Sequence, residues 1–399
     1  MKTNFFLLAG IFLSLSAQAD WLNFRGPNGS GFIEGNKNLS TELSEKTTAW
    51  SVDLPGRGLG SPIVIGDKVI VTAASGPDQK ELHVICYSAA DGSKIWERKA
   101  WATGRTMTNK KTNVAAPTPA SDGTHVYALF SSNDLLAFDL DGNPKWMRGL
   151  MLDYPNASNS LGMASSPIAV DGTLVSQIEN DSQSLALGID TATGTNKWKM
   201  DRHKGSNWTS PTTLKLGDQT IVALQSNKGI HGLVPSTGSQ FFHFNKGASG
   251  TPSSVASGGK IYVPSNGLTA IVPDEKGGDP AVLWNESAQG PGTASPIFID
   301  GKIYTINRAG VLTAANAETG DRIWRIRLKG PFSSSPVAAE NGHLYIFSEK
   351  GIGQVIDITG AEGKVISEIE LNDTILATPS ISGDALYIRS DKKLWKFAK

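Results

Sequence analysis

The stretch "SPIFIDGKIYTINRAGVLTAANAETGDRIW", residues 295–324, contains one complete unit of a pattern that recurs along the chain. A Ser-Pro pair opens the unit, and the turn dipeptide Asp300-Gly301 follows it within a few residues. The β-rich run "KIYTIN" comes next, and a second run leads to a Thr-Gly turn that lies just before Trp324. Dipeptides such as Asp-Gly adopt the positive backbone angles that a two-residue hairpin requires. The unit therefore predicts antiparallel strands joined by tight turns.

Units of this kind follow one another and open at eight Ser-Pro or Thr-Pro pairs. The prolines of these pairs are 40 to 57 residues apart: Pro62, Pro119, Pro167, Pro211, Pro252, Pro296, Pro336 and Pro379. In five units an aromatic residue stands four positions after the glycine of the closing turn, at Trp96, Trp146, Trp198, Phe242 and Trp324. This period is typical of propeller blades. The sequence thus predicts an all-β fold, an eight-bladed β-propeller of four-stranded antiparallel blades, with these aromatic residues at the start of outermost strands.

The last unit lacks its fourth strand. It ends after three β-rich runs, whereas the segment "TTAWSVDLPG", residues 47–56, has the form of an outer strand without a unit of its own. The sequence therefore predicts that this N-terminal strand completes the eighth blade and closes the ring. Joining strands so far apart in the chain costs about 5 kcal/mol of loop entropy plus a constant. Burial of Trp50, Val52 and Leu54, at about 1.5–3 kcal/mol each, offsets that cost.

The first nineteen residues predict export. Lys2 precedes the apolar run "FFLLAGIFLSL", and the small residues "AQA" end the segment at Ala19. This pattern predicts a secretory signal peptide cut after Ala19, and so an exported protein that is periplasmic or secreted. No later run approaches the roughly 20 apolar residues of a membrane helix. Asp20 stands where a lipid-bearing cysteine would be required, so neither a membrane span nor a lipid anchor is predicted.

The expected organisation is a signal peptide at residues 1–19, an extended arm at residues 20–46 and one propeller domain at residues 47–399. The repeats decide in favour of one large ring over several ordinary domains. The arm begins with the segment "WLNFRGPNGSG", and we expect Trp21 and Phe24 to anchor it across one face of the ring.

Charge and cysteine content narrow the possible partners. The chain has 37 basic and 37 acidic residues and a formal net charge of zero, which argues against nucleic acid as a partner. Cys86 is the only cysteine, so packing alone must hold the exported chain without an internal disulfide. The six histidines are spread along the chain without the spacing of a metal site. We expect a monomer with no metal site.

The repeat units resemble pyrroloquinoline quinone (PQQ)-type repeats. The segments "LALGIDTATGTNKW" and "LTAANAETGDRIW" match the ending typical of that family, and "WLNFRGPNGSG" is similar to the opening of secreted PQQ-like propeller proteins. More distantly, the chain resembles the lipoprotein propellers of outer-membrane β-barrel assembly, from which it departs by lacking the lipid-bearing cysteine. The resemblance implies an eight-bladed propeller and says little about activity.

The resemblance also implies an alternative function, that of a PQQ- and calcium-dependent oxidoreductase. Many such enzymes hold the cofactor against an adjacent cysteine pair, which a chain with Cys86 alone does not supply, and no "CxxCH" haem-attachment motif is present. We therefore predict no catalytic residues and no cofactor, with PQQ and calcium as the alternative. A polysaccharide-acting site built from carboxylates of different blades stays open, since such pairs leave no local motif.

Two connections break the regularity of the units. Residues 102–116 and 149–165 are clearly longer than the other segments that lead from an outer strand to the next inner strand. All such connections emerge on one face of a propeller, and residues 201–208 form the next one in order. Long loops on a rigid scaffold are frequent binding sites. We therefore predict a contiguous binding face for a protein, a peptide or a polysaccharide.

The candidate binding residues of this face are polar, basic or aromatic: Arg105, Lys110, Lys111, Asn113, Tyr154, Asn156, Asn159, Asp201, Arg202, Asn207 and Trp208. The alternative is that the loops only cover the channel mouth and that their basic residues only form a solvated surface. Trp208 precedes an inner strand, so it either stacks on a planar ligand or a sugar or plugs the channel.

Overall fold

The computed structural model describes residues 20–158 and 161–399, and its regular structure is almost entirely antiparallel β-sheet. Eight four-stranded sheets surround a central channel, so the predicted eight-bladed propeller is confirmed. The predicted signal peptide, residues 1–19, lies outside the described residues.

Each blade runs from an inner strand at the channel to an outer strand at the periphery. Blade 1 contains Ile63–Ile65, Lys68–Ser75, Glu81–Ser88 and Lys94–Trp101. Blade 2 contains Ala120–Ser121, His125–Leu129, Asp134–Asp139 and Pro144–Gly149. Blade 3 contains Ile168–Val170, Thr173–Ile178, Ser184–Asp190 and Asn196–Arg202. Blade 4 contains Thr212–Leu216, Gln219–Ser226, Gly229–Leu233 and Gln240–Phe244. Blade 5 contains Val255–Ser257, Lys260–Val263, Leu268–Val272 and Ala281–Glu286. Blade 6 contains Ile297–Ile299, Lys302–Ile306, Val311–Asn316 and Arg322–Arg327. Blade 7 contains Val337–Ala339, His343–Phe347, Ile352–Asp357 and Lys364–Glu370. Blade 8 contains Ser380–Ser382, Ala385–Arg389, Lys393–Phe397 and, as its outer strand, Thr48–Asp53.

Helical structure in the described part of the chain is confined to short segments. One α-helix, Leu150–Asp153, lies in the second long connection. The 3-10 helices are Pro27–Gly29, Glu45–Thr47, Pro77–Gln79 and Ser287–Gln289. Across residues 20–158 and 161–399, none of the helices has the length and apolar character needed to cross a membrane.

The middle strands of each blade are buried because neighbouring blades pack against both of their faces. In Lys68–Ser75 the six central residues are all buried, whereas the outer strand Lys364–Glu370 alternates between partly buried and exposed side chains. A tyrosine holds the third position of the second strand in five blades and is buried each time: Tyr127, Tyr262, Tyr304, Tyr345 and Tyr387. The core is therefore a series of apolar layers between blades.

Six outer-strand tryptophans pack against the next blade of the ring. The Trp96 ring lies on Gly142 in the closing turn of blade 2, where a Cβ atom would come within 2.7 Å of the ring. The Trp96 Nε1 also donates to the carbonyl oxygen of Leu140 at 2.9 Å. The same packing recurs for Trp50 on Gly92, Trp146 on Gly194, Trp198 on Gly238, Trp284 on Gly320 and Trp324 on Gly363. The Gly…Trp pattern of the repeats thus pairs a glycine of one blade with a tryptophan of the preceding blade.

In the described residues, two of the eight blade boundaries lack this tryptophan contact. Between blades 4 and 5 the aromatic residue is Phe242, which packs on Gly232 of its own blade. The longer closing turn of blade 5 is tied instead by Gly278, whose N–H donates to the carbonyl oxygen of Phe241 at 3.0 Å. Between blades 7 and 8, Ile366 stands in the aromatic position, and blade 8 has no closing turn because its outer strand comes from the N-terminal segment.

The ring closes through the N-terminal strand, as predicted. Thr48–Asp53 pairs antiparallel with Lys393–Phe397, with Trp50 opposite Lys396. The side chains of Trp50, Val52 and Leu54 pack against the core layer that blade 8 shares with its neighbours. Strands from the two ends of the chain therefore complete one blade.

The N-terminal arm enters the channel instead of lying across one face, which corrects the expected placement. Trp21 exchanges two backbone hydrogen bonds with Val64 of blade 1, at 2.9 and 3.0 Å. The short strand Phe32–Ile33 pairs in parallel with the inner strand of blade 7. Inner strands present unpaired backbone groups to the channel, and the arm satisfies part of them. Trp21 is fully buried, as expected of an anchor, and Phe24 faces the channel.

Candidate binding site

A ring of hydroxyl residues surrounds the channel on the face that carries the long connections, here called the upper face. Each member of this hydroxyl ring lies two residues before an inner strand: Ser61, Thr118, Ser166, Ser210, Ser253, Ser295, Ser335 and Thr378. Seven hydrogen bonds of 2.9 to 3.0 Å run from the backbone N–H of one member to the side-chain oxygen of the next. The proline that follows has no N–H to leave unsatisfied. The Ser-Pro and Thr-Pro pairs thus join the inner ends of adjacent blades.

Blade 5 departs from this rule. Its predicted opening pair is Thr251-Pro252, but Ser253 occupies the ring position, and the sequence-based assignment is wrong by two residues there. Ser254 stands where the other blades have proline, and its N–H donates to the Gln225 side-chain oxygen at 2.8 Å. The Gln225 amide therefore satisfies the donor that proline removes in the other blades.

A cavity of about 370 Å³ opens above the hydroxyl ring. All ring members except Ser61 line it. Its large apolar lining residues are Phe24, Leu59, Leu161, Trp208 and Leu376, and Ala116 and Ala164 also line it. Phe24 belongs to the arm, which fills the channel below. Among the described lining residues, Lys111 alone is charged and none is a carboxylate.

The first long connection, residues 102–116, folds over the channel mouth. Lys111 Nζ forms an ion pair with Glu349 of blade 7, at 3.0 Å from Oε1. Arg105 and Lys110 are exposed, and neither has an ion pair in the part of the chain that the structure describes. Of the three predicted basic residues, Lys111 alone lines the cavity.

The two long connections bind each other, so the predicted contiguous face is formed. The N–H of Asn109 and the hydroxyl of Thr112 both donate to the carbonyl oxygen of Leu161, at 2.8 and 2.7 Å. Trp208 Nε1 donates to the carbonyl oxygen of Gly162 at 2.7 Å, which ties the third connection to the second. The Trp208 ring then forms part of the cavity wall.

Three of the predicted binding residues are buried beneath this face. Asn113 accepts the N–H of Ala115 at 2.7 Å. Arg202 and Asn207 both bind the buried carboxylate of Glu179, at 2.7 Å from Arg202 Nε and 3.0 Å from Asn207 Nδ2. Connections that fold inward must satisfy their own polar groups, and these side chains do so. They support the face and do not line the cavity.

The remaining predicted residues lie elsewhere on the upper side. Tyr154 is half-buried, and its hydroxyl accepts a hydrogen bond from Asn196 at 2.6 Å. Asn156 and Asp201 are exposed and do not line the cavity. Asn159 lies outside the described residues.

Sequence reasoning missed the hydroxyl ring and Phe24 as cavity residues. The Ser-Pro pairs were visible as strand starts, but nothing local in the sequence says that their hydroxyls converge on one axis. Phe24 was expected on a face of the ring, because an arm inside the channel leaves the same apolar pattern as an arm across it.

Large apolar side chains are exposed along the two long connections. Leu152 is 78 % exposed, Trp101 65 %, Met107 57 % and Leu161 39 %. Trp101 ends the outer strand that leads into the first connection, and Leu152 lies in the helix of the second. These four residues are called the loop patch below.

A buried cation lies in the channel. The guanidinium of Arg25 donates to the carbonyl oxygens of Ser30 at 3.0 Å, of Ser254 at 3.4 Å and of Pro296. No carboxylate of the described residues pairs with it, and its Nε has no partner. Burial lowers the pKa of Arg25 to about 9, because low-dielectric surroundings disfavour the charged form. Ser254 and Pro296 directly follow two ring members, so this charge lies one residue below the hydroxyl ring.

The cavity residues do not fit a calcium-bound quinone. Calcium takes six to eight oxygen ligands, among which carboxylates are prominent, and the described lining offers hydroxyls, one amide and one ammonium group. A general base for an alcohol would also need a carboxylate or a histidine at the cavity. Across the described residues, no group of three or more His, Cys, Asp or Glu side chains has the arrangement of a metal site.

Sequence comparison gives partial matches to curated proteins. The outer membrane protein assembly factors BamB of Salmonella typhimurium and Escherichia coli are 30% and 31% identical over 118 and 117 residues. Each match covers 26% of this chain and 29% of the relative, so the chain spans less than a third of the length of these relatives.

Structure comparison shows the same fold over nearly the whole chain. BamB from Moraxella catarrhalis superposes with a TM-score of 0.63 at 16% identity, covering 88% of this chain and 97% of that one. A europium-containing methanol dehydrogenase gives 0.73 at 12% identity, covering 96% and 98%. The quinohemoprotein alcohol dehydrogenase from Comamonas testosteroni gives 0.70 at 14% identity, covering 96% and 81%. At these identities the likeness shows the fold alone.

The match to a protein-family model shows which family this chain belongs to. The model described as outer membrane protein assembly factor BamB matches residues 28–175, 242–331 and 308–399, which is more than half of the chain. With eight blades built from PQQ-like units and joined by the tryptophan contacts described above, this chain belongs to the PQQ-repeat propeller family of the outer membrane protein assembly factor BamB.

Proposed function

We propose that this chain is an exported, non-catalytic binding propeller that holds a protein partner on its upper face. The observation that carries the proposal is the loop patch, four large apolar side chains exposed on or directly beside the long connections of the ring. Several large apolar side chains exposed on one part of a folded surface are candidates for an interaction site. The cost of exposing Leu152 and Met107 to water is removed when a partner covers them.

The start of the first long connection is anchored to blade 2, which favours tight binding. The buried carboxylate of Asp134 accepts the N–H of Thr103 at 3.0 Å and the hydroxyls of Thr103 and Ser132 at 2.5 and 2.6 Å. A surface that is ordered before binding loses less conformational entropy when the partner arrives.

The chemistry of the loop patch favours a protein over a polysaccharide. Sugars stack on flat aromatic rings flanked by polar groups, whereas this patch contains one aromatic residue and three aliphatic or thioether side chains. Met and Leu adapt to apolar protein surfaces. The relatives are named outer membrane protein assembly factors, and a protein partner is in keeping with that name.

Site-specific photo-crosslinking in the cell envelope tests the proposal. With the reactive residue at Leu152, we expect one adduct of defined mass, and at Val282, an exposed residue of the blade 5 outer strand, none. Met107→Asp in the Leu152 background should abolish the adduct. A crosslink at both positions, or one unaffected by Met107→Asp, would contradict the loop patch as the site.

Turnover measurements test the absence of catalysis. Purified protein is supplied with PQQ and calcium, and dye reduction is followed with several alcohols and sugars. We expect no reduction above the rate without protein. Saturable turnover would instead support the alternative, a PQQ- and calcium-dependent oxidoreductase.

A further inference from the structure

The hydroxyl ring has hydrogen-bond donors that the protein does not use. Each ring oxygen that lines the cavity accepts a backbone N–H from the neighbouring blade. Within the described residues, none of these seven hydroxyls donates to a protein acceptor. All seven are at least nine-tenths buried. Seven O–H groups are therefore available to acceptors on the channel axis.

Beside the hydroxyl ring the lining is mainly apolar, and its further polar groups come from Asn109, Lys111, Thr112, Thr251, Thr293 and Ser333. Phe24 lies below the cavity, while Leu59, Leu161, Trp208 and Leu376 form its walls. A mainly apolar wall with a few polar groups favours a ligand with an apolar body. The cavity of about 370 Å³ is near the lower end of the range for small-molecule sites, so it suits a ligand of the size of one amino acid.

The charges near the cavity favour a negatively charged ligand. The Arg25 charge lies one residue below the hydroxyl ring without a carboxylate partner among the described residues. At the mouth, Lys111 is balanced by Glu349, whereas Arg25 has no carboxylate partner in the described part of the chain. A buried cation is stabilised by a nearby anion, because their attraction is strong in low-dielectric surroundings.

We infer that the cavity binds the carboxylate of a small organic acid with an apolar body. The hydroxyl ring donates to the two carboxylate oxygens, and the apolar body packs against Trp208 and the leucines of the walls. Hydroxyl donors replace the water that the carboxylate gives up, which a purely apolar cavity would not do. The inference does not rest on the protein partner, although the cavity wall shares Leu161 with the loop patch. The acid comes either from a free metabolite or from the C-terminal residue of a polypeptide.

Calorimetric titration with a matched pair of ligands tests the charge requirement. Phenylacetate and phenylacetamide have the same shape and differ in the negative charge. We expect phenylacetate to bind at least about tenfold more tightly. Equal affinity of the two compounds, or no binding of phenylacetate, overturns the inference.

A pair of variants places the binding in the cavity. Ala164 lines the cavity, so Ala164→Asp adds a negative charge beside the ligand and Ala164→Asn adds the same volume without charge. We expect Ala164→Asp to weaken phenylacetate binding by more than about tenfold relative to Ala164→Asn. Equal binding by two variants with normal melting temperatures overturns the assignment of the site. If Ala164→Asp does not fold, Leu376→Lys serves instead, and it should tighten phenylacetate binding.

Two peptides identify the source of the acid. A hexapeptide that ends in phenylalanine is titrated with a free C-terminal carboxylate and with a C-terminal amide. Binding of the free-acid peptide alone supports a polypeptide C-terminus, and binding of phenylacetate without either peptide supports a free acid. Binding of both peptides with equal affinity overturns the role of the carboxylate.

Discussion

Gly142 is constrained by its own backbone and by a neighbouring blade. Its φ of 79° suits glycine, and the Trp96 ring fills the space that a Cβ atom would need. We expect Gly142→Ala to lower the free energy of unfolding by about 2–5 kcal/mol, through backbone strain and the displaced ring. Urea denaturation measures this loss.

The matched control is Gly123, in the hairpin turn of the same blade. Its φ is 88°, but a Cβ atom there meets nothing within 4 Å. Gly123→Ala should therefore cost only the backbone part, about 1–2 kcal/mol. Equal losses for the two variants would mean that the tryptophan contact contributes little.

We expect His231 to make the stability of the protein depend on pH. Its ring stacks on that of His243 with centroids 4.1 Å apart. Burial, aided by the nearby charges of Arg202 and His243, lowers the pKa of His231 to about 4. The unfolded chain, with a histidine pKa of about 6.5, binds the proton first, so folding stability decreases as the pH falls from about 6.5 to 4.

Thermal melts from pH 7 to pH 4 measure this dependence. We expect His231→Gln to flatten the fall in melting temperature over that range, because glutamine does not titrate. His203→Gln removes an exposed histidine and serves as the control. The same slope in His231→Gln and in the unmodified protein would contradict the assignment.

At the scale of the element, each inner strand depends on a hydroxyl of the next blade. Ser210→Ala removes the acceptor of the buried Ser166 N–H and should cost about 1–3 kcal/mol. Ser210→Thr keeps the oxygen, and threonine already stands at positions 118 and 378 of the ring, so we expect a smaller loss. Thermal denaturation of both variants compares them; an alanine variant as stable as the threonine variant would contradict the ring as a joint between blades.

Strands and turns were predictable because their signals are local. Gly-rich turn dipeptides and alternating runs specify hairpins over a few residues, and the surplus strand at residues 47–56 gave the closure of the ring. The assignment of Thr251-Pro252 to the start of blade 5 is wrong because this pair fits the repeat spacing, whereas Ser253 is not followed by proline. The position of Ser253 is fixed by its bonds to Ser210 and Ser295, which are long-range contacts.

The candidate site was predictable only as a region. The length of the two connections locates the upper face, but the sequence alone does not show that polar loop residues such as Arg202 and Asn207 are buried. A long connection that folds over a channel must bury backbone, and polar side chains then satisfy it from within. The cavity itself is lined by strand ends from seven blades and by Phe24, and no short sequence pattern contains that convergence.

At the scale of the whole molecule, the N-terminal strand decides whether the ring closes. Val52 packs into the layer next to blade 8, so Val52→Asp places a carboxylate in apolar surroundings. We expect the melting temperature of the entire propeller to fall by about 5–10 °C, because opening one blade exposes the faces of two others. Val282→Asp, on the exposed side of the blade 5 outer strand, should leave it nearly unchanged.

Scanning calorimetry distinguishes a ring that melts as one unit from blades that melt separately. A single transition that shifts as a whole supports closure as the source of cooperativity. A new transition at low temperature beside an unshifted main one would show that blade 8 melts alone.

The tryptophan contacts between blades are all oriented in the same direction around the ring. Each points from one blade to the next along the chain, as subunits do in a head-to-tail oligomer. The two boundaries without a tryptophan divide the circle into an arc of five blades, from blade 8 through blade 4, and an arc of three, blades 5 to 7. The N-terminal arm reinforces one seam, where the N–H of Leu43 donates to the Ser367 hydroxyl of blade 7 at 2.9 Å. Under mechanical load the ring should therefore part first at the other seam, between Phe242 and the closing turn of blade 5.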